Sequence, residues 1–244
     1  MPVRVLLLGA KGRMGQAIAA AAGKAEVEIT ASLDLGDDIA KQIGDCDVVI
    51  DFSHPSASTE LGQACGETKK PAVIGTTGHS KEERAALEKL ALSVPVVLSP
   101  NFSVGVNTLF WLTRKAAQML GGDFDLEITE MHHRLKKDAP SGTAKKLAEI
   151  LCEVRELDYR KDVRHGREGL IGERPAKEIG VHSIRGGDVV GDHTVTLAGA
   201  GERLELSHKA ASRETFALGA LRAARWIVGK PPGLYSMEDV LGLG

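Results

Sequence analysis

The sequence predicts an α/β protein: a Rossmann-like, parallel, doubly wound sheet, followed by a second α+β domain on a mixed or antiparallel sheet. The first reason is the opening run VRVLLLGA, continuous and β-rich, which is how a strand covered on both faces reads. The second is that strand-like and helix-like segments alternate through residue 103, the pattern of a parallel sheet with helical crossovers. The third is that this alternation stops after about residue 120, where strands appear at 124–133, 179–185, 193–198 and 202–209.

In chain order, the first strand runs into Gly9-Ala10-Lys11-Gly12-Arg13-Met14-Gly15 and then an alanine-rich helix over about 14–22. Strand, glycine turn and helix form a dinucleotide-binding unit, in which backbone N–H groups at the positive helix end receive a pyrophosphate. The spacing is GxxGxxG rather than GxGxxG. Asp34 ends the next strand, VEITASLD, about 20 positions on, where an acidic side chain binds the adenosine ribose. Asp34 favours NAD, whereas Lys11 and Arg13 offset its repulsion of a 2′-phosphate, so both NADH and NADPH are expected cofactors.

DVVIDFS (47–53), AVIGTTG (72–78) and VPVVLSPNFS (94–103) read as strands. PSASTELGQAC (55–65) reads as a helix with Pro55 in its first turn, and SKEERAALEKLAL (80–92) as one with Ser80 and Glu83 forming a capping box. Ligands bind at the carboxyl ends of such strands, so the turns Asp51–Ser53, Gly75-Thr76-Thr77 and Ser99-Pro100-Asn101-Phe102 are expected to line one crevice.

A helix over 104–120 opens the second half, and RETFALGALRAARWIVG (213–229) forms an amphipathic helix with Ser212 as N-cap. Residues 1–103, with 213–244 packing back on them, make the dinucleotide-binding domain; 104–212 make a substrate-binding and oligomerisation domain. The stretch 158–178 is polar and irregular, and its 165–175 portion reads as a mobile or intersubunit arm or a disordered excursion.

The chemistry concentrates in residues 124–146, FDLEITEMHHRLKKDAPSGTAKK. In a regular strand His132 and His133 point to opposite faces and take different jobs. A histidine can donate a proton near neutral pH, and no further ligands at metal spacing accompany the pair. Lys136 is the functional cation of its pair, with Lys137 facing solvent. The N–H groups of Gly142 and Thr143 and the Thr143 hydroxyl form an anion cradle at a helix start, although an ordinary N-cap turn looks similar. The expected substrate carries carboxylate and accepts a hydride and a proton.

Composition agrees. The net charge of −2 disfavours nucleic acid and anionic membrane as partners. Cys46, Cys65 and Cys152 lie far apart with no CxxC, which suits a reducing, cytoplasmic setting and argues against zinc or disulfides. The apolar run 5–8 is far short of the ~20 residues a bilayer needs.

The motifs GAKGRMG, DFS, GTTG, SPNFSVG, EITEMHHRLKKDAPSGTA, SIRGG, VVGDH and HKAASRETFALGA, in this order, resemble the 4-hydroxy-tetrahydrodipicolinate (dihydrodipicolinate) reductase family over nearly the whole chain. The resemblance implies NAD(P)H-dependent reduction of a cyclic dicarboxylate to tetrahydrodipicolinate in diaminopimelate and lysine biosynthesis, by a homotetramer assembled through the second-domain sheet. It implies His132 as proton donor, Lys136 as its partner, and His133, Gly142, Thr143 and Thr77 as substrate-binding. It assigns Gly9 to Met14, Asp34, Gly75 to Thr77 and Ser99 to Phe102 to the cofactor. Three departures stand out: a short 35–46 segment, Leu35 where relatives carry Arg after the ribose-binding acid, and Ser99 where Ala is common. Another Rossmann amino-acid dehydrogenase and a catalytically silent nucleotide sensor are the competing readings.

Overall fold

The computed structural model describes residues 1–243, apart from the side chains of Ser58 and Thr59, and the chain divides into two compact units: Met1–Val104 with Arg213–Gly244, and Gly105–Ser212. The elements of the first unit are β1 (Val3–Leu8), α1 (Arg13–Ala21), β2 (Val27–Leu33), β3 (Val48–Asp51), α2 (Ser58–Thr68), β4 (Ala72–Ile74), α3 (Lys81–Leu90) and β5 (Pro95–Leu98). The 17-residue α4 (Val104–Leu120) begins at the junction of the units. The second unit adds β6 (Asp125–His132), α5 (Gly142–Arg155), α6 (Tyr159–Asp162), β7 (Val163–His165), β8 (Ile179–Arg185), β9 (Gly191–Gly199) and β10 (Glu202–Ala210). The chain then supplies α7 (Glu214–Ile227), β11 (Gly233–Tyr235) and α8 (Met237–Leu241) to the first unit.

The first sheet is parallel throughout, in the order β11-β5-β4-β3-β1-β2. Alternation along β1 sends Val5 and Leu7 to one face with α1 and α7, and Leu6 and Leu8 to the other with α2 and α3. That is the doubly wound architecture, with apolar layers on both sides. A Cβ on Gly219 of α7 would collide with the Phe102 carbonyl, so glycine is what allows this helix to pack so close.

Several boundaries differ from the sequence reading. Pro55–Ala57 is a separate 3-10 turn, and α2 starts only at Ser58. β4 and β5 are short because the Gly75–Thr77 and Ser99–Phe102 segments leave the sheet as loops. The Ser80–Glu83 capping box is present. Ser212 is not the N-cap of α7: Arg213 holds that position without a side-chain cap bond. β11 was not foreseen, since its Gly-Leu-Tyr is too short to show periodicity; its pairing partner β5 defines it.

The second sheet is mixed, ordered β10-β9-β6-β8-β7, with β6 parallel to β8 and antiparallel to β9. Leu126 and Ile128 of β6 face a core built with Leu109 and Phe110 of α4 and Leu147 and Leu151 of α5. On the opposite face Thr194 meets Ser207 at 2.8 Å, and Ile184 is exposed.

Segment 166–178 is held in place by ion pairs. Arg167 bridges Glu127 and Glu178, and Arg174 binds Glu127 at 3.0 Å and Asp125 at 2.7 Å. Partial burial pushes the Glu127 carboxyl upward, but hydrogen bonds from Arg167, His182 and Arg174 outweigh this and hold it at about 2. A depressed native pKa contributes stability that is complete above the unfolded-state value near 4.5 and is lost as pH falls towards about 2. Unfolding by urea across that range should therefore show wild-type stability declining below about pH 4.5, with a shallower decline in Glu127→Gln.

Candidate functional site

In the first unit the site is built on the turns that follow β1, β3 and β4. Gly9, at φ +83°, would place a Cβ against Phe52 and Ser53, and a Cβ on Gly15 would collide with the Gly9 carbonyl. Gly12 occupies the N-cap of α1, with no side-chain cap hydrogen bond among the described residues. A cleft of about 630 Å³ opens here, lined by Gly12, Arg13, Met14, Phe52–Pro55 and Gly75–Gly78. Its floor is tied down from below by Asp51, fully buried, which accepts hydrogen bonds from the Ser53 hydroxyl (2.5 Å), the Ser53 N–H (2.9 Å) and the Thr76 hydroxyl (2.9 Å). Burial pushes the Asp51 carboxyl upward, opposed by these bonds. Asp51 therefore lies beneath the crevice rather than lining it.

Asp34 stands just past β2, where the Lys11 N–H donates to it at 3.2 Å and the Lys11 ammonium lies 3.7 Å away. Gly9 and Ala10 donate N–H bonds to the Leu33 carbonyl, which fixes the turn against β2. Ser99, Pro100, Asn101 and Phe102 do not line the 630 Å³ cleft. Ser99 Oγ donates to the Asn101 carbonyl at 2.7 Å, Asn101 Oδ1 accepts from the Ser103 N–H, and the Phe102 ring is buried in the core. A glycine turn into which a Cβ would not fit, an uncapped helix start and an acid at the next strand end suit the pyrophosphate and ribose of a dinucleotide.

In the second unit, β6 carries Glu130 and His132 on its inward face. The His132 ring contacts Glu130 through Nδ1 at 2.5 Å, and Glu130 is itself gripped by Arg185 of β8 (2.9 and 3.0 Å) and by the Ser141 N–H (3.3 Å). Burial works against the Glu130 charge, but Arg185, Ser183 and His132 hold its carboxyl below the usual value. Burial lowers His132 and Glu130 opposes that shift. His193 of β9 packs edge-on at 5.2 Å from His132 and meets the Ser141 hydroxyl at 2.9 Å; burial, with His132 nearby, pushes it down to about 4, so it is neutral at pH 7.

His133 lies just beyond β6 and is half-buried, with its N–H on the Val189 carbonyl and its Nδ1 unpartnered among the described residues. Lys136 is largely covered, its ammonium 2.8 Å from Asp138, whereas Lys137 is exposed. Gly142 and Thr143 open α5, but the N-cap is Ser141, whose Oγ accepts from the Ala144 N–H. Thr77 is exposed at the first unit's cleft. Sequence reasoning gave no roles to Glu130, Ser141, Arg185 or His193. The strand period offered a signal for Glu130, two residues before His132 and so on the same face.

Among the described residues no group of three or more His, Cys, Asp or Glu could hold a metal, and no helix is long and apolar enough to cross a membrane.

A parallel nucleotide-binding sheet joined to a mixed-sheet unit that holds a buried acid–histidine pair and a lysine defines a pyridine-nucleotide-dependent oxidoreductase. Family models described as dihydrodipicolinate reductase, N-terminus, and dihydrodipicolinate reductase, C-terminus, match residues 3–102 and 105–241. The chain belongs to the dihydrodipicolinate reductase family. It is 56% identical over 242 residues to the 4-hydroxy-tetrahydrodipicolinate reductase of Akkermansia muciniphila, spanning 99% of this chain and 98% of that one. The enzyme of that name from Geobacter metallireducens is 46% identical over 264 residues, 99% of each chain. Dipicolinate-bound dihydrodipicolinate reductase from Paenisporosarcina sp. TG-14 superposes with a TM-score of 0.77 at 25% identity, covering 98% of this chain and 99% of that one. A probable dehydrogenase from Thermotoga maritima, at TM-score 0.58 and 15% identity over 99% of this chain and 93% of that one, shares the fold.

Thr76→Val removes a buried hydroxyl that both donates to Asp51 and accepts from the Ser53 N–H. It should lower unfolding stability by about 1–3 kcal/mol and weaken NADH binding, measured by urea unfolding and fluorescence titration.

Proposed function

We propose that this chain reduces 4-hydroxy-tetrahydrodipicolinate to tetrahydrodipicolinate with NADH or NADPH, the reductive step of lysine and diaminopimelate biosynthesis. The observation that carries this reading is His132, held by a buried carboxylate within the electrostatic reach of Lys136, on a strand whose following loop runs into the start of α5.

The cofactor is assigned to Gly9–Met14, Asp34, Gly75–Thr77 and the backbone of Ser99–Phe102. When bound, NADH or NADPH supplies the hydride. Lys136, His133, the Gly142 and Thr143 N–H groups and Thr77 bind the carboxylates, and Lys136 exchanges its exposed partner Asp138 for the substrate. With the 4-hydroxyl lost as water, hydride addition to the resulting unsaturated ring leaves negative charge on the substrate, and His132, assisted by Lys136, delivers the proton that neutralises it; such general acid help supplies ~10²–10⁴-fold. Two carboxylates on the substrate match the Lys136 cation and the N–H groups at the start of α5. The relative from Paenisporosarcina sp. TG-14 holds dipicolinate, itself a dicarboxylate. The hydroxyl-bearing outer face of the second sheet, with Ile184 exposed, is assigned to assembly of a homotetramer, and the enzyme to the cytoplasm.

A coupled assay tests the reaction: pyruvate, aspartate semialdehyde and the synthase that condenses them supply substrate while reduced nicotinamide absorbance is followed. Oxidation that requires the synthase supports the proposal; a cofactor that binds and is never oxidised would return the silent sensor. In that assay His132→Gln and Lys136→Ala should each lower kcat by about 10²-fold or more with NADH affinity retained. Wild-type kcat in both variants refutes the assignment.

Lys11 sits on Asp34 through both its N–H and its ammonium, and Leu35 contributes no charge. Lys11→Ala should raise the KM for NADPH by about two- to fivefold more than the KM for NADH, since only Arg13 then offsets the carboxylate's repulsion of the 2′-phosphate.

A further inference from the structure

We propose that Glu130 is the positioning residue of the proton donor: clamped by Arg185 and the Ser141 N–H, its carboxylate accepts the Nδ1 hydrogen of His132 and fixes Nε2 as the nitrogen that delivers the proton. This rests on the assignment of His132 made above.

The geometry leaves the carboxylate little freedom. Arg185 contacts both oxygens, at 2.9 Å to Oε1 and 3.0 Å to Oε2, the planar fork that guanidinium and carboxylate share. Ser141 N–H takes a second lone pair of Oε1, and His132 Nδ1 meets Oε2. Arg185 is anchored in turn, donating to the Asp138 and Ile184 carbonyls at 2.7 Å each. An acid held below its usual value remains ionised and acts only as acceptor, so Nδ1 must carry the hydrogen. The other end of the ring is kept open. A Cβ at residue 191 would come within 3.0 Å of His132 Nε2, and the residue there is glycine.

The groups facing His132 are Glu130 on its own strand, Arg185 from β8, His193 from β9 and Lys136 from the following loop, itself paired with Asp138; the start of α5 contributes uncharged Ser141. Burial, Lys136 and Arg185 favour the neutral ring, and Glu130 favours imidazolium. Removing the Glu130 charge therefore makes the ring lose its proton at lower pH.

The test is Glu130→Gln, read as a pH profile. Folded, with wild-type NADH affinity, it should lose at least about tenfold in kcat, and the basic limb of its kcat/KM profile should move to lower pH by about one unit or more. Added to His132→Gln it should cost little further, because both changes disable one device. A wild-type basic limb, or losses that multiply in full, would overturn the proposal. Should Glu130→Gln not fold, NMR of labelled histidine in the wild-type enzyme decides: neutral His132 should carry its hydrogen on Nδ1, and an Nε2–H tautomer refutes the clamp. Wild-type kcat in His132→Gln would instead remove the donor assignment itself, an outcome distinct from an impaired His132→Gln beside a Glu130→Gln with an unshifted profile.

Discussion

One buried carboxylate organises the second unit. Glu130 has no exposed surface, and a lone charge in such a place costs several kcal/mol unless it is paired and hydrogen-bonded. Its partners come from its own strand, from β8 and from the Ser141 turn that starts α5, so satisfying one group's electrostatics also fixes where three elements meet. Packing alone would set the distance between strand and helix. The carboxylate also sets their register and the orientation of the imidazole.

The first unit answers a similar problem with neutral groups. Asp51 is as deeply buried as Glu130 but has hydroxyls and an N–H as partners, so burial prevails and its carboxyl ends above its usual value, where charged partners hold Glu130 below. The difference matches the tasks. On the cofactor assignment proposed above, the glycine turn presents N–H groups to an anion, and a strong local negative charge would oppose one. Beneath His132 the proposed proton-donor role makes a negative charge useful, because it supports the protonated ring.

The sequence made the parallel sheet legible because strands buried on both faces must be continuously apolar and must be followed by helices, as VRVLLLG and VVID are. The His132, Lys136 and Gly142 cluster was legible because it lies within one short run. What stayed hidden depends on pairing at long range. Arg185 lies 55 residues from Glu130 and His193 lies 52 from Ser141, and nothing in local periodicity connects them. Segment 166–178 was ambiguous for the same reason: its arginines look solvated until β6 supplies Asp125 and Glu127. The N-cap of α7 fell one residue past Ser212, within the usual uncertainty of helix ends.

The split of the first unit bears on the order in which the chain can become itself as it leaves the ribosome. Val5, Leu7 and Ile50 are covered on one face by Ala217, Ala220, Leu221 and Ile227 of α7, and the sheet is extended past β5 by β11. Through the whole time that residues 105–212 are being made, that apolar face has α1 but lacks α7. The second unit, continuous in sequence, can close first; the nucleotide-binding unit is the first to be started and the last to be finished. A chain halted after residue 212 would expose the apolar positions that α7 covers, a substrate for chaperones or proteases rather than a partly working enzyme.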